Sequence, residues 1–149
     1  MIPAIAPPAR IAPMRAEDIE QVRRLERALL AEPQVDLQYH HVLHAGMYAR
    51  TVRIPAGVVI TGALIKLATI LVVNGDVSVF IGTETVRLQG YHVIPACAGR
   101  KQAFLAHTAT DLTMVLSSRA STVEEAESEF TDEADLLQPR SSSFALAGD

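Results

Sequence analysis

The chain has 149 residues, of which 49% are hydrophobic and 20% are charged, with one cysteine and no tryptophan. A chain of this length and composition forms one compact domain, and with Cys97 as the only cysteine an intrachain disulfide is excluded. The net charge of −4 is concentrated at one end, because residues 120–149 hold eight acidic side chains and one basic one, and no clustered basic surface that would bind nucleic acid is predicted.

The first 36 residues divide into an arm and a helix. Residues 1–14 contain four prolines, which oppose helix formation and predict an extended arm. Residues 15–36 contain an amphipathic pattern that predicts a helix over 15–32, with acidic side chains in its first turn, basic ones nearer its end, and Pro33 after it. The arm lacks the basic start and long apolar segment of a secretory signal, so we expect synthesis in the cytoplasm.

Residues 37–118 form short segments rich in β-branched side chains and separated by glycines, which is typical of a sandwich or small barrel. Asn74-Gly75 is the sequence signal of a tight hairpin. The apolar run 56–73 contains Lys66 as its only charge, but its length and interruptions favour two buried strands over a membrane span. The predicted strands are 47–54, 58–61, 64–73, 77–81, 85–88, 92–94, 102–106 and 112–117.

Residues 119–149 are predicted to form a short acidic helix followed by a second arm. Ser121 and Thr122 are each followed three residues later by a glutamate, which is the signature of a capping box and predicts a helix as far as Phe130. Residues 138–149 show no periodicity, and we expect them to be unstructured in isolation.

Two segments within residues 39–118 resemble a known family. "RIPAGVVITGALIKLATILVVNGDVSVFIG" and "GYHVIPACAGRKQAFLAH" resemble the two motifs of the cupin superfamily, and the first is also similar to small cupin-like proteins of tailed bacteriophages. The resemblance implies a mainly β fold, a single cupin-like jelly-roll barrel. Together with the patterns above, the expected chain has an N-terminal amphipathic helix, a short C-terminal acidic helix and extended terminal arms.

The resemblance extends to the framework of the motifs but not to their metal ligands. In the family, two His and one Glu of the first motif bind the metal, and at these positions this chain offers only Lys66 and Thr69 as polar side chains. The position expected for the His of the second motif falls near Gln102. Aliphatic side chains have no lone pairs to donate to a metal. We therefore expect no metal, no cofactor and a lumen walled by hydrocarbon. The framework matches are Gly75, Gly90, Pro95 and Gly99.

Several polar residues are candidates for other roles. If the barrel retains a ligand pocket, its polar contacts are predicted to be Lys66, His92, Gln102 and His107. His40, His41 and His44 cluster before the barrel without a carboxylate among them, and ordinary polar or interface roles are favoured over a metal. A His107–Asp111 pair is the one candidate for acid–base chemistry. Tyr48, Arg50 and Arg53 share one strand and predict a solvated or subunit-facing surface.

These patterns favour a non-enzymatic role. By the resemblance, the chain is expected to be a capsid cement or decoration protein of a phage particle, a homodimer made in the host cytoplasm whose residues 1–14 and 120–149 extend over the major capsid protein or another virion protein. The alternative is a cupin-like protein that binds a small molecule in its barrel, and a metal-free cupin isomerase is the third hypothesis. No nucleic-acid or membrane partner is expected.

Overall fold

The computed structural model describes residues 10–137, and the chain is mainly β. Seven strands are joined into one curled antiparallel sheet, with one helix before it and one after it. No helix in this described part is long and apolar enough to cross a membrane. The elements are α1 (Ala16–Leu30), β1 (Gln38–His44), β2 (Met47–Ile54), β3 (Val59–Thr61), β4 (Thr69–Phe80), β5 (Thr85–Ala96), β6 (Ala103–Ala106), β7 (Thr110–Ser117), α2 (Val123–Phe130) and a 3₁₀ helix (Ala134–Leu136).

The sheet curls because β4 and β5 each belong to both of its faces. The first half of β4 pairs with β7, and its second half pairs with β6. Strands β1, β2, β7, β4 and β5 follow one another across the five-stranded face, whereas β3, β6, β4 and β5 form the four-stranded face. Two facing antiparallel sheets that share strands in this order make a jelly roll. The expected mainly β jelly-roll fold is thereby confirmed.

The expected hairpin at Asn74-Gly75 is wrong. Both residues lie inside β4, and the pairing of β4 with β5 continues on both sides of them, with Gly75 directly opposite Gly90. Both glycines have positive φ, at +151° and +90°. Glycine accepts such backbone angles in a bend as readily as in a turn, and here the two glycines lie where the paired strands pass from one face to the other.

Other strand boundaries also differ from the expectation. Residues 64–68 are not a strand, and of them Ile65 makes one isolated bridge to Arg100. The segments 77–81 and 85–88 fall mainly in the second half of β4 and the first half of β5, and 92–94 is the second half of β5. Strand β1 is absent from the predicted strands, and it pairs along its whole length with β2.

The two predicted helices are confirmed. In α1 the acidic Glu17 and Asp18 lie in the first turn and Arg27 in the last, as the helix dipole favours. In α2 the hydroxyl of Thr122 accepts a hydrogen bond from the backbone N–H of Glu125, which caps the helix. Helix α2 covers one end of the barrel, where Phe130 stacks on Tyr48 with their ring centroids 6.1 Å apart.

The described parts of the two predicted arms pack on the protein's own barrel. Ile11 is buried beside β5 and exchanges backbone hydrogen bonds of 2.8 Å with Pro95 and Cys97. At the other end, the backbone of Lys66 donates to the carbonyl of Phe130. Within residues 10–14 and 119–137 the arms are therefore part of the domain, and residues 1–9 and 138–149 lie outside the described residues.

Gly75 is predicted to be the least replaceable glycine in the barrel. A Cβ at this position would lie 2.4 Å from the hydroxyl oxygen of Thr110 and 2.8 Å from its Cα. Both Gly75→Ala and Gly90→Ala are expected to lose about 1–2 kcal/mol of stability from the positive φ angle. Gly75→Ala should lose about 1–3 kcal/mol more, because the backbone at Thr110 must move.

The measurement is urea unfolding of the wild type and of each variant. Gly90→Ala is the matched control, because nothing lies within 4 Å of a Cβ added there. Equal stability losses in the two variants would contradict the close packing of Gly75 on Thr110.

Candidate functional site

A cavity of about 490 Å³ lies between the two faces of the sheet. Most of its wall is apolar and comes from both faces and from the segments that connect them. Leu30, Val35 and Leu136 line the cavity and are also exposed, so the entrance lies between the end of α1, the loop that follows it and the 3₁₀ helix. Apolar side chains deeper in the wall include Val52, Val58, Ile60, Leu71, Phe104 and Leu112.

Arg100 is a buried cation in the cavity wall. It lies between β5 and β6, and only 2% of its surface is exposed. Its guanidinium donates hydrogen bonds to the side-chain oxygen of Gln102 (3.2 Å), the carbonyl of Cys97 (2.7 Å) and the hydroxyl of Thr69 (2.7 Å). None of these acceptors is charged. Burial lowers the pKa of Arg100 to about 10, so the side chain is still a cation at neutral pH.

Gln102 is beside Arg100 in the same wall, with 5% of its surface exposed. Its Oε1 accepts the hydrogen bond from Arg100, which fixes the orientation of the amide group. The Nε2 atom is buried and has no hydrogen-bond partner among residues 10–137. A buried donor without an acceptor costs free energy, so this atom is a specific place for a ligand acceptor.

Arg50 also lines the cavity, but its charge is compensated inside the protein. Its guanidinium donates to the carboxylate of Glu127 on α2 at 3.0 Å, and both side chains are buried. The same guanidinium lies 4.5 Å from the centroid of the Tyr39 ring. Burial is the main cause that raises the pKa of Tyr39, so its hydroxyl remains protonated at neutral pH.

A second buried ionic cluster joins α1 to the segment after α2. The ammonium group of Lys101 is completely buried and donates to Glu26 of α1 and to Glu133, at 3.0 Å each. Glu133 also accepts hydrogen bonds from Arg23 and from the backbone N–H of Leu64. Burial alone would raise the pKa of Glu133, but these hydrogen bonds and the nearby Lys101 outweigh it and lower that pKa to about 2.

The structure brings only one of the four predicted pocket residues into the cavity wall, namely Gln102. Lys66 forms an exposed ion pair with Asp132 at 2.6 Å. His92 contacts the backbone carbonyl of Gln89, and His107 contacts the hydroxyl of Ser78, each at 2.7 Å. These three side chains are not among the residues that line the cavity.

The candidate acid–base pair and the candidate metal ligands are also dispersed. Asp111 receives two hydrogen bonds from Arg53 on β2, at 2.9 and 3.2 Å, whereas His107 contacts Ser78. In the described range 10–137, no group of three or more His, Cys, Asp or Glu side chains could hold a metal ion. His41 contacts the hydroxyl of Tyr48 at 2.7 Å, and His40 and His44 are exposed.

The predicted surface of Tyr48, Arg50 and Arg53 requires a correction. Tyr48 and Arg50 point into the protein, where they contact Phe130 and Glu127. Only Arg53 lies on the outer surface. Tyr48 and Arg50 share a face because they are two residues apart, whereas Arg53 is three residues after Arg50 and lies on the opposite face. The sequence of β2 alone did not show that α2 covers the inner face.

Sequence reasoning missed Arg100. The prediction of a lumen walled by hydrocarbon is wrong because Arg50, Arg100 and Gln102 line the cavity. The sequence did contain a signal that Arg100 and Gln102 lie together. In an extended segment, alternation places these two side chains on the same side and that of Lys101 on the other.

The chain is similar to known proteins only in its backbone. No family model matches the chain, and no curated protein matches it. Structures with a similar backbone include KdgF from a Halomonas species, with 20% identity over 60% of this chain and 86% of that chain and a TM-score of 0.49.

Two further neighbours are a cupin superfamily protein from Desulfitobacterium hafniense and the cupin domain of an XRE-family transcriptional regulator from Enterobacter cloacae. The first has 8% identity over 61% of this chain and 85% of that chain, with a TM-score of 0.47. The second has 9% identity over 57% of this chain and 100% of that chain, with a TM-score of 0.46. The jelly roll assigned to this chain rests on its own strand order.

Glu133 is predicted to make the protein acid-sensitive. The pKa of Glu133 is about 2 in the folded protein, whereas the ordinary pKa of a glutamate is 4.5. The stabilising contribution of Glu133 is therefore complete above about pH 4.5 and is lost as the pH falls towards 2. Glu133→Gln should lower stability by about 1–3 kcal/mol at pH 7 and should flatten the pH dependence over this interval.

The measurement is chemical denaturation between pH 7 and pH 2.5. Asp132→Asn is the matched control, because Asp132 is 85% exposed and pairs only at the surface with Lys66, so it should retain the wild-type pH dependence. If Glu133→Gln retained that dependence as well, the role assigned to the buried cluster would be wrong.

Proposed function

We propose that the protein binds a small molecule inside its jelly-roll barrel. The observation that carries this proposal is the cavity of about 490 Å³ between the two faces of the sheet. Ligand sites in proteins are clefts of about 300–1,000 Å³ with mostly apolar walls and a few polar groups that set orientation. The cavity has these properties and an entrance between α1 and the 3₁₀ helix.

The geometry supports a site that is largely formed before the ligand binds. The wall belongs to both faces of the barrel, whose strands are paired along their lengths. Two ionic contacts hold the surrounding elements, because Glu127 joins α2 to Arg50 and Glu26 joins α1 to Lys101. A wall held in this way loses less conformational entropy when a ligand binds.

The proposal is for binding rather than catalysis. General acid–base catalysis needs a group whose pKa lies near the working pH. Arg100, with a pKa of about 10, remains protonated at neutral pH, and Gln102 does not titrate. These two side chains can therefore orient a ligand in the wall, but neither exchanges a proton readily at neutral pH.

The phage cement function and the homodimer stay predictions. A cement role would have to be carried by residues 1–9 and 138–149, which lie outside the described part of the chain, together with surface contacts. The outer side of the five-stranded face is the proposed surface for a second copy, because Ile70, Tyr91 and Val93 are exposed there. Sedimentation of the purified protein tests the dimer independently of ligand binding.

The ligand-binding proposal predicts saturable 1:1 binding of the neutral apolar fluorophore 1-aminoanthracene. Ala63→Phe adds a phenyl ring to a residue of the cavity wall and should weaken this binding at least about tenfold, which corresponds to about 1.4 kcal/mol. Val58→Phe, at another position in the wall, provides a second test if the first variant is unstable.

Ala68→Phe is the matched control, because Ala68 is exposed and does not line the cavity. Its affinity for the fluorophore should equal that of the wild type in a fluorescence titration, with circular dichroism to verify folding. The proposal is rejected if the wild type shows no saturable binding, or if the folded cavity variants bind as tightly as the wild type.

A further inference from the structure

From the buried polar groups of the cavity wall we infer that Arg100 and Gln102 together bind the carboxylate of an otherwise apolar ligand. This inference rests on the proposed function, because it names the chemical class of the molecule that enters the barrel. It depends on charge compensation, on unused hydrogen-bond donors and on the apolar surroundings of the two side chains.

Arg100 holds an exceptional position among the buried cations. Arg50 is paired with Glu127, and Lys101 is paired with both Glu26 and Glu133. Among the described residues, Arg100 has no carboxylate partner, although it is buried as the other two are. Removing a charge from water costs several kcal/mol unless an opposite charge compensates it, and an anion in the cavity would supply that compensation.

Arg100 and Gln102 also have unused hydrogen-bond donors. A guanidinium has five N–H bonds, and Arg100 uses three of them for Gln102, Cys97 and Thr69. The Nε2 atom of Gln102 adds a buried donor without an acceptor. The amide cannot simply rotate to remove this deficit, because its oxygen already accepts from Arg100. The two side chains thus present unused N–H bonds in one region of the wall.

The charge of a carboxylate matches the charge of this site. A carboxylate is planar and accepts two hydrogen bonds from a guanidinium in one plane. Its single negative charge neutralises the single uncompensated cation, whereas a doubly charged phosphate would leave one negative charge buried. Beyond this anchor the wall consists of side chains such as Val52, Leu71 and Phe104, which favour a hydrocarbon body. The class indicated is an aliphatic or aromatic monocarboxylate.

The test compares two probes of equal chain length, octanoate and 1-octanol, by isothermal titration calorimetry at pH 7. We expect the wild type to bind octanoate at least tenfold more tightly than 1-octanol. Gln102→Glu places a carboxylate beside Arg100, so it should reduce octanoate affinity at least tenfold and leave 1-octanol affinity within about threefold of the wild type. The built-in carboxylate should also preserve or raise the melting temperature.

Two further variants separate charge from packing. Gln38→Glu makes the same charge change on the exposed outer side of β1 and should bind octanoate as the wild type does. Arg100→Met removes the cation while retaining a long apolar side chain, and it should lose the preference for octanoate over 1-octanol. If Arg100→Met does not fold, Gln102→Glu provides the decisive comparison.

The outcomes distinguish the inference from the proposed function. Equal affinity of the wild type for octanoate and 1-octanol overturns the carboxylate anchor and leaves the cavity as an apolar binding site. Unchanged octanoate affinity in Gln102→Glu likewise overturns the anchor. If neither octanoate nor 1-octanol binds and 1-aminoanthracene fails as well, the proposed function is rejected together with the inference.

Discussion

The close approach of Gly75 to Thr110 is the contact on which the barrel depends. It occurs where β4 and β5 bend together and pass from the five-stranded face to the four-stranded face, with Gly75 opposite Gly90. The hydroxyl of Thr110 accepts a hydrogen bond from the backbone N–H of Asp76, at 3.1 Å, so the start of β7 is tied to β4 at this bend. Without the bend the faces could not enclose a common lumen.

Because the lumen is enclosed, each charged group in its wall requires charge compensation. Helix α2 supplies Glu127 to Arg50 in this wall, and α1 supplies Glu26 to Lys101, a buried cation that is not among the residues lining the cavity. Arg100 has only neutral acceptors among the described residues. A buried cation held by three neutral groups is stable enough to persist in a folded domain, but it retains a strong preference for an anion.

The sequence predicted the parts of the fold that follow from local pattern. The amphipathic periodicity of α1 and the Thr122 cap of α2 operate within a few positions, and the bounds of β2 follow from alternation and its flanking glycine and proline. The bend at Gly75 could not be distinguished from a hairpin, because both need a glycine with positive φ and only the continuous pairing of β4 with β5 on both sides of Gly75 separates them. Arg100 was missed for a related reason: alternation groups it with Gln102, but only the tertiary fold shows which side faces the lumen.

The position of Gln102 connects the fold to its proposed chemistry. Gln102 lies in the cavity wall beside Arg100, and its amide has a buried donor without a partner among the described residues. The guanidinium of Arg100 offers positive charge inside a low-dielectric barrel through directed N–H bonds in one plane. Directed donors of this kind match the shape and charge of a planar anion, which is the physical basis of the proposed carboxylate binding.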